Sequence, residues 1–206
     1  GAVLTHRVVV PEGLRMEEVA ARIEAAGLGS AAEFLSVARE PATAAAFDIP
    51  GASLEGYLFP ETYELAKGIP AGDIARLMVD HFFAVWREIE PRAQARGLSM
   101  RDVVVLASLI EKETGAPQER PLIAAVFLNR LERGMRLETD PAVIYGIADF
   151  DGNLRRVHLE DVTNPYNTSQ HAGLPPGPIA SPGAAALLAV VEPAEADYLF
   201  FVARKD

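Results

Sequence analysis

Apolar residues recur at helical spacing along most of the chain. In six segments they return every three or four residues, the spacing at which a helix buries one face against a core. Serine residues support two of the helix starts, because Ser30 precedes the second segment and Ser99, with Asp102 three residues later, forms a capping-box pattern. The predicted helices cover residues 16–26, 31–39, 70–89, 99–115, 118–133 and 183–191.

The segments between these helices contain few strand signals. Weak alternation predicts a short strand over residues 6–10, and a run of large apolar residues predicts a buried strand over 198–202. Residues 140–145 suit either a short helix or a strand, whereas Pro60 interrupts the aromatic-rich segment 51–63, which suits no single element. The predicted fold class is therefore α+β, a mostly helical domain with a few short strands.

Length and composition are those of a folded domain with a sizeable core. The 206 residues are 50% hydrophobic, and we expect a small N-terminal α/β lobe over residues 1–50 and a larger domain over residues 51–206. The net charge of −10, with no lysine or arginine run, argues against nucleic acid as a partner. The absence of cysteine excludes thiol catalysis and disulfides. No histidine pair has metal-ligand spacing and no phosphate-binding glycine loop occurs, so we expect neither metal nor cofactor.

A glutamate interrupts the apolar face of the predicted helix 99–115. At 100° per residue Glu113 falls within the apolar stripe, and Glu111 lies about 160° away from it, which predicts a solvent-facing Glu111 that pairs with Arg120 or Lys112. Burial raises the pKa of a carboxyl group, and a glutamic acid that keeps its proton near neutral pH can act as a general acid. From the residues alone the structural interpretation is favoured, in which Glu113 ends the helix or pairs with Arg120, because perturbed carboxylates are often structural. The stripe consists of Val103, Leu106, Leu109 and Ile110.

Three other features are candidates for chemistry. Residues 163–183 form a long irregular segment in which amides, hydroxyls and an aromatic ring precede closely spaced prolines. Such a segment suits recognition of a polar, uncharged ligand such as a sugar, although a surface loop shaped by its prolines alone explains the same composition. Glu61 and Asp140 can each cap a helix or serve as a second catalytic carboxylate beside Glu113.

Several motifs together resemble one known family, the endolytic murein transglycosylases (MltG, YceG-like). The order and spacing of the motifs also fit that family, and the similarity covers most of residues 12–203. The motifs are EGYLFPETYEL (55–65), LASLIEKETG (106–115), ERPLIAAVFLNRLERGMRLETDPAVIYGI (119–147), NPYNT (164–168), GLPPGPIASPG (173–183) and YLFFVA (198–203).

The resemblance implies a bacterial enzyme that cuts nascent glycan strands of peptidoglycan. It implies a lysozyme-like placement of the catalytic glutamate on a helix, with Glu113 as that residue and Thr114 as a neighbour that helps to set the site. It also implies a single-pass anchor in the inner membrane and a LysM-like region upstream, with the catalytic domain on the periplasmic side and cell-wall synthases as partners. The sugar contacts implied by matched positions are Tyr145, Tyr166, Asn167 and Thr168.

The implied reaction breaks the MurNAc–GlcNAc β-1,4 bond without water and leaves a 1,6-anhydroMurNAc end, with Glu113 as acid and then base. Two other functions stay open at this point. One is a peptidoglycan hydrolase, in which Glu61 or Asp140 joins Glu113 as base or nucleophile. The other is a non-catalytic glycan-binding module of the cell-wall machinery, which would not need Glu113.

Overall fold

The structure is a computed structural model that describes residues 5–201. Within this range the fold is mostly helical with one small antiparallel sheet, which confirms the predicted α+β class. A single turn of 3-10 helix, Pro117–Glu119, precedes the sixth α-helix. The elements in chain order are β1 (Thr5–Val9), α1 (Met16–Ala25), α2 (Ala31–Arg39), α3 (Pro41–Ala46), β2 (Thr62–Ala66), α4 (Ala71–Ala95), α5 (Met100–Glu113), α6 (Arg120–Glu132), α7 (Asp140–Tyr145), α8 (Arg156–Glu160) and α9 (Ala184–Val191).

Helix α5 is the centre of the domain. Every residue from Val103 to Ile110 is buried, because α4, α6, α7 and α9 all pack against the helix. The start of α5 is the predicted capping box, in which the Ser99 hydroxyl accepts the Asp102 backbone N–H at 3.1 Å and the Asp102 carboxylate accepts the Ser99 backbone N–H at 3.2 Å. A helix buried on all sides reaches the surface at its ends, and Glu113 is its last residue.

The two strands form an antiparallel pair in which Val8 lies opposite Tyr63. The predicted strand over residues 6–10 is confirmed to within one residue. The sequence pattern did not predict β2, because only Tyr63 and Leu65 alternate inward there and polar residues separate them. The pairing of β1 with β2 joins the N-terminal segment to the motif EGYLFPETYEL (55–65).

Helix α4 continues through a proline that was expected to lie in a connecting segment. It runs to Ala95 instead of ending at residue 89. Pro91 lacks a backbone N–H and so removes one helical hydrogen bond. Ile89 and Ala93, on either side of it, are buried. Packing of this last part of α4 therefore outweighs the lost bond.

The prediction of a buried strand over residues 198–202 is wrong for residues 198–201. Tyr198 is 61% exposed and Phe200 is 71% exposed, and the segment has no strand partner within the described range. Its carbonyl groups accept hydrogen bonds from side chains of α6 instead. The Asn129 amide, for example, donates to the carbonyl oxygen of Tyr198 at 3.0 Å. Val202 lies outside the described residues.

A continuous apolar core extends from β1 to α9. Phe34 of α2 and Leu58, on the two sides of the predicted boundary near residue 50, are both fully buried in it. The division into a small lobe and a larger domain stays a prediction. None of the helices in the described part of the chain is both long and apolar enough to cross a membrane.

Candidate active site

Glu113 borders an open cavity of about 290 Å³ at the C-terminal end of α5. The residue is partly buried, so its carboxyl group is enclosed on one side and accessible on the other. Three stretches of chain bring the remaining wall together: α6, the segment that leads into α7, and the end of the described chain. The cavity is lined by Glu113, Arg130, Leu137, Glu138, Asp140 and Phe201.

The surroundings of Glu113 raise its pKa above the ordinary value of a glutamic acid. Burial is the main cause, and the negative charge of Asp140 adds to it. The hydroxyl of Thr139 acts in the opposite direction and favours the ionised form. A carboxyl group that holds its proton to a higher pH than an ordinary glutamic acid, while facing an open cavity, is suited to general acid catalysis.

Glu111 is enclosed within the protein, so the prediction that it faces solvent is wrong. Its side chain is 5% exposed and accepts a hydrogen bond of 2.7 Å from Arg120, whose side chain is 8% exposed. Its other carboxylate oxygen accepts the backbone N–H of Gly183 at 3.0 Å. The predicted pairing with Arg120 is confirmed. Because α5 is covered on all sides, a position opposite its apolar stripe is covered as well.

The family resemblance implies that Thr114 helps to set the site beside Glu113. The Thr114 hydroxyl, however, does not bond to Glu113. The Thr114 hydroxyl donates to the Glu119 carboxylate at 2.7 Å and accepts the Ala116 backbone N–H at 3.0 Å. Both bonds shape the turn that leaves α5. Thr139 is the residue whose hydroxyl acts on Glu113.

Arg130 organises the opposite wall of the cavity. Its Nε donates to the carbonyl oxygen of Leu199 at 2.6 Å, and its Nη1 donates to that of Leu137 at 2.8 Å. The same Nη1 lies 3.4 Å from the Glu138 carboxylate, and the guanidinium group stands 4.8 Å from the centre of the Phe200 ring. A single buried cation thus holds two stretches of backbone that border the cavity.

Arg130 was not among the residues predicted for the site, although the sequence contains a signal for it. Arg130 lies four residues after Val126 and three after Phe127, on the buried face of α6. A charged residue on an apolar helical stripe is the same signal that points to Glu113.

Asn167 is fully buried, and its side chain hydrogen-bonds to nearby backbone groups. Its amide nitrogen donates to the carbonyl oxygens of His158 at 3.0 Å, Leu159 at 3.3 Å and Asp161 at 2.8 Å. Its amide oxygen accepts the Ser169 backbone N–H at 3.1 Å. Both ends of the side chain are therefore engaged within the protein, at the end of α8. A direct contact between Asn167 and a sugar stays a prediction.

Thr168 is buried and bonds to the backbone of Thr139, which lies between two residues of the cavity wall. Its hydroxyl accepts the backbone N–H of Thr139 at 3.0 Å and donates to the carbonyl oxygen of Thr139 at 3.2 Å. These two bonds fix the backbone of Thr139. A direct sugar contact by Thr168 stays a prediction, and the bonds described here assign it to the support of the site.

Tyr145 and Tyr166 form a partly exposed aromatic pair at the far end of α7, with ring centres 4.8 Å apart. The Tyr145 hydroxyl donates to the buried carboxyl group of Glu55 at 3.1 Å, and the Arg15 guanidinium lies 4.8 Å from the centre of the Tyr145 ring. Burial raises the pKa of Glu55 to about 7. Both rings are partly exposed, so the predicted role of the pair as a sugar contact is retained as a proposal.

The two candidate second carboxylates lie in different surroundings. Asp140 occupies the first turn of α7, where the helix dipole favours a negative charge, and it lines the cavity with Glu113. Glu61 is exposed beside β2 and is not among the residues that line this cavity. Within residues 5–201, no group of three or more His, Cys, Asp or Glu side chains is placed to hold a metal ion.

The fold and the site together define a class of protein. It is a helical domain in which one partly buried glutamate, at the end of a central helix, faces an open polar cavity. The chain belongs to the YceG-like family, which it matches over residues 1–206. A crystal structure of a yceG-like protein from Listeria monocytogenes has the same fold, with a TM-score of 0.87 and 32% sequence identity. That similarity covers 95% of this chain and 69% of the Listeria chain.

Two curated relatives are named endolytic murein transglycosylase. The protein from Bacillus subtilis is 36% identical over 154 residues, which is 74% of this chain and 42% of the relative. The protein from Streptococcus pneumoniae (strain D39) is 34% identical over 159 residues, which is 73% of this chain and 28% of the relative. The matched part of this chain therefore spans less than half the length of either relative.

Proposed function

We propose that this chain carries endolytic murein transglycosylase activity, the activity for which its relatives are named. In this proposal it cleaves the MurNAc–GlcNAc β-1,4 bond within glycan strands and leaves a 1,6-anhydroMurNAc end. The observation that carries the proposal is the position of Glu113. Its partly buried carboxyl group, with a raised pKa, faces a cavity in a domain of this family.

One carboxyl group is sufficient for the proposed reaction. Glu113 donates its proton to the glycosidic oxygen as the bond from that oxygen to C1 of MurNAc breaks, which leaves an oxocarbenium-like sugar and a Glu113 carboxylate. The C6 hydroxyl of the same sugar then attacks C1, and the carboxylate takes the hydroxyl proton. The anhydro ring is closed, Glu113 is protonated again, and no water is consumed.

Helix α7 supports a path for the glycan strand. It begins at Asp140, which lines the cavity, and ends at Tyr145 of the aromatic pair, and its axis is about 7.5 Å long. Sugar rings have apolar faces that pack on aromatic rings, and Tyr145 and Tyr166 are partly exposed. In this proposal the pair holds a sugar next to the one that reacts at Glu113.

A hydrolase is the second candidate, and one observation favours it. Asp140 lines the same cavity as Glu113, so a second carboxylate is present that could activate water or attack the sugar. The two reactions differ in their products. Hydrolysis leaves a reducing end, whereas transglycosylation leaves an anhydro end.

The cellular setting of the proposed reaction follows from its substrate. Murein lies outside the cytoplasm, so we place the activity on the extracytoplasmic side of the membrane. A single-pass anchor in the inner membrane and cell-wall synthases as partners belong to the same proposal, and they rest on the family resemblance.

The test is mass spectrometry of uncrosslinked glycan strands after incubation with the chain and two variants. Glu113→Gln removes the proposed acid, and Glu88→Gln makes the same change at an exposed position on α4. We expect anhydro-ended fragments from the unaltered chain and from Glu88→Gln, and none from Glu113→Gln. Reducing ends would assign the chain to the hydrolases, and absence of cleavage by the unaltered chain would overturn the proposal.

A further inference from the structure

The hydroxyl of Thr139 is a buried polar group beside the cavity. The residue is 1% exposed, and its Oγ1 has no hydrogen-bond partner within residues 5–201. Its two neighbours in sequence, Glu138 and Asp140, both line the cavity with Glu113. A buried hydroxyl without a partner is uncommon in folded proteins and calls for an explanation.

We propose that the Thr139 hydroxyl positions the Glu113 carboxyl group by donating to it during the reaction. The inference rests on the proposed function, in which Glu113 alternates between acid and carboxylate. Thr139 acts through Glu113 and is therefore a positioning residue. It supplies the hydroxyl that Thr114, engaged with Glu119, does not supply.

Hydrogen bonds hold the backbone of Thr139 at both its N–H and its carbonyl oxygen. Thr168 engages the N–H and the carbonyl oxygen of Thr139, and the backbone N–H of Glu138 donates to the carbonyl oxygen of Thr168 at 3.1 Å. Glu138 itself has a φ of 53°, a left-handed conformation that costs a non-glycine residue free energy. Such conformations persist where surrounding bonds enforce them, and here they fix the backbone of Thr139 between two residues that line the cavity with Glu113.

The proposed reaction gives an unpartnered donor at this position a use. The Thr139 hydroxyl has no hydrogen-bond partner within residues 5–201, and it favours the ionised form of Glu113 against the effects of burial and Asp140. When Glu113 gives up its proton, its carboxylate is a stronger acceptor, to which the hydroxyl donates. The charged groups that face this exchange from the neighbouring elements are Arg130, Glu138 and Asp140.

The test is a carbon-13 NMR titration of the Glu113 side-chain carboxyl group, assigned by its loss in Glu113→Gln. Thr139→Val removes the hydroxyl at nearly constant volume, and Thr139→Ala repeats the removal if valine disturbs the fold. We expect either variant to raise the midpoint by about one pH unit, the size expected for losing a hydrogen bond to a charged group. Thr139→Ser should restore the midpoint.

Ser181→Ala is the matched control, because the Ser181 hydroxyl is also buried and without a partner within the described range but does not border the cavity. We expect it to leave the midpoint unchanged. In cleavage assays Thr139→Val should lower kcat with little change in KM, and the alkaline limb of its pH profile should move upward. An unmoved midpoint in a chain that cleaves murein would overturn the role of Thr139 alone. Failure of the proposed function itself would give a different result, because the unaltered chain would then not cleave murein.

Discussion

Glu111 and Arg120 form a hydrogen-bonded ion pair of 2.7 Å in which both side chains are more than nine-tenths buried. The second carboxylate oxygen of Glu111 binds the backbone N–H of Gly183. Glu111 therefore ties α5 to the start of α6 and to the start of α9. Two residues later, Glu113 makes no comparable ion pair within residues 5–201 and faces a cavity. Neighbouring glutamates in one motif thus have separate structural and chemical roles.

Glu111→Gln is expected to lower the free energy of unfolding by about 2–3 kcal/mol. The substitution removes the closest counter-charge of the buried Arg120 guanidinium and leaves the half-exposed carboxylate of Glu12, at 3.4 Å, to compensate it. Chemical denaturation at pH 7, with folding followed by circular dichroism, measures the change.

Glu113→Gln is the control for this measurement, because it makes the same chemical change two residues away. Since burial raises the pKa of Glu113, its carboxylate destabilises the folded state at neutral pH, and the amide should be at least as stable. An equal loss of stability in the two variants would contradict the separation of roles.

Glu55 should make the stability of the fold depend on pH. Its folded-state pKa of about 7 exceeds the ordinary value of 4.5, so the folded state binds this proton more tightly than the unfolded state does. Its contribution is therefore most favourable below pH 4.5 and is lost as the pH rises towards 7, by about 3 kcal/mol. Thermal unfolding of the unaltered chain and of Glu55→Gln across this range should show that difference in slope.

Tyr145→Phe provides the control for the Glu55 prediction. The Tyr145 hydroxyl donates to the Glu55 carboxylate and lowers its pKa, so its removal should extend the pH-dependent loss to higher pH. A Glu55→Gln variant with the same pH dependence as the unaltered chain would show that other groups cause it.

The sequence predicted the elements whose signals are local. Helix starts at Ser30 and Ser99 follow from the capping pattern alone, and the structure has both. The surroundings of Glu111 could not be predicted in this way. Periodicity assumes that a helix has one solvent face, but eight consecutive buried residues, 103–110, show that α5 has none along its middle. That information lies in the packing of other helices.

The residues of the site likewise differ in whether a local sequence pattern could predict them. The helical position of Glu113 made it a candidate, and the family resemblance pointed to the same residue. Its cavity and raised pKa are consistent with that prediction. Thr139 could not be identified, because its importance depends on bonds to Thr168, which is 29 residues away. Long-range contacts of this kind leave no periodic pattern in the chain.

Asp140→Asn should shift the pH dependence of cleavage in a defined direction. The negative charge of Asp140 raises the pKa of Glu113, so its removal lowers that pKa and Glu113 loses its catalytic proton at lower pH. We expect the alkaline limb of the kcat profile to move to lower pH while anhydro-ended products continue to form. A complete loss of cleavage, with the fold intact, would instead indicate the two-carboxylate hydrolase.

Thr168→Val should destabilise the fold and reduce cleavage together. The valine side chain has the size of threonine but leaves the buried N–H of Thr139 unpaired, at a cost of about 1–3 kcal/mol. It also removes one of the two hydrogen bonds to the carbonyl oxygen of Thr139, which keeps the bond from the Val143 backbone N–H. Thr168→Ser keeps the hydroxyl and should retain most of the stability and most of the activity. If Thr168 served only to bind sugar, Thr168→Val would raise KM without a change in stability. Denaturation and cleavage kinetics measured on the same three proteins separate the two roles.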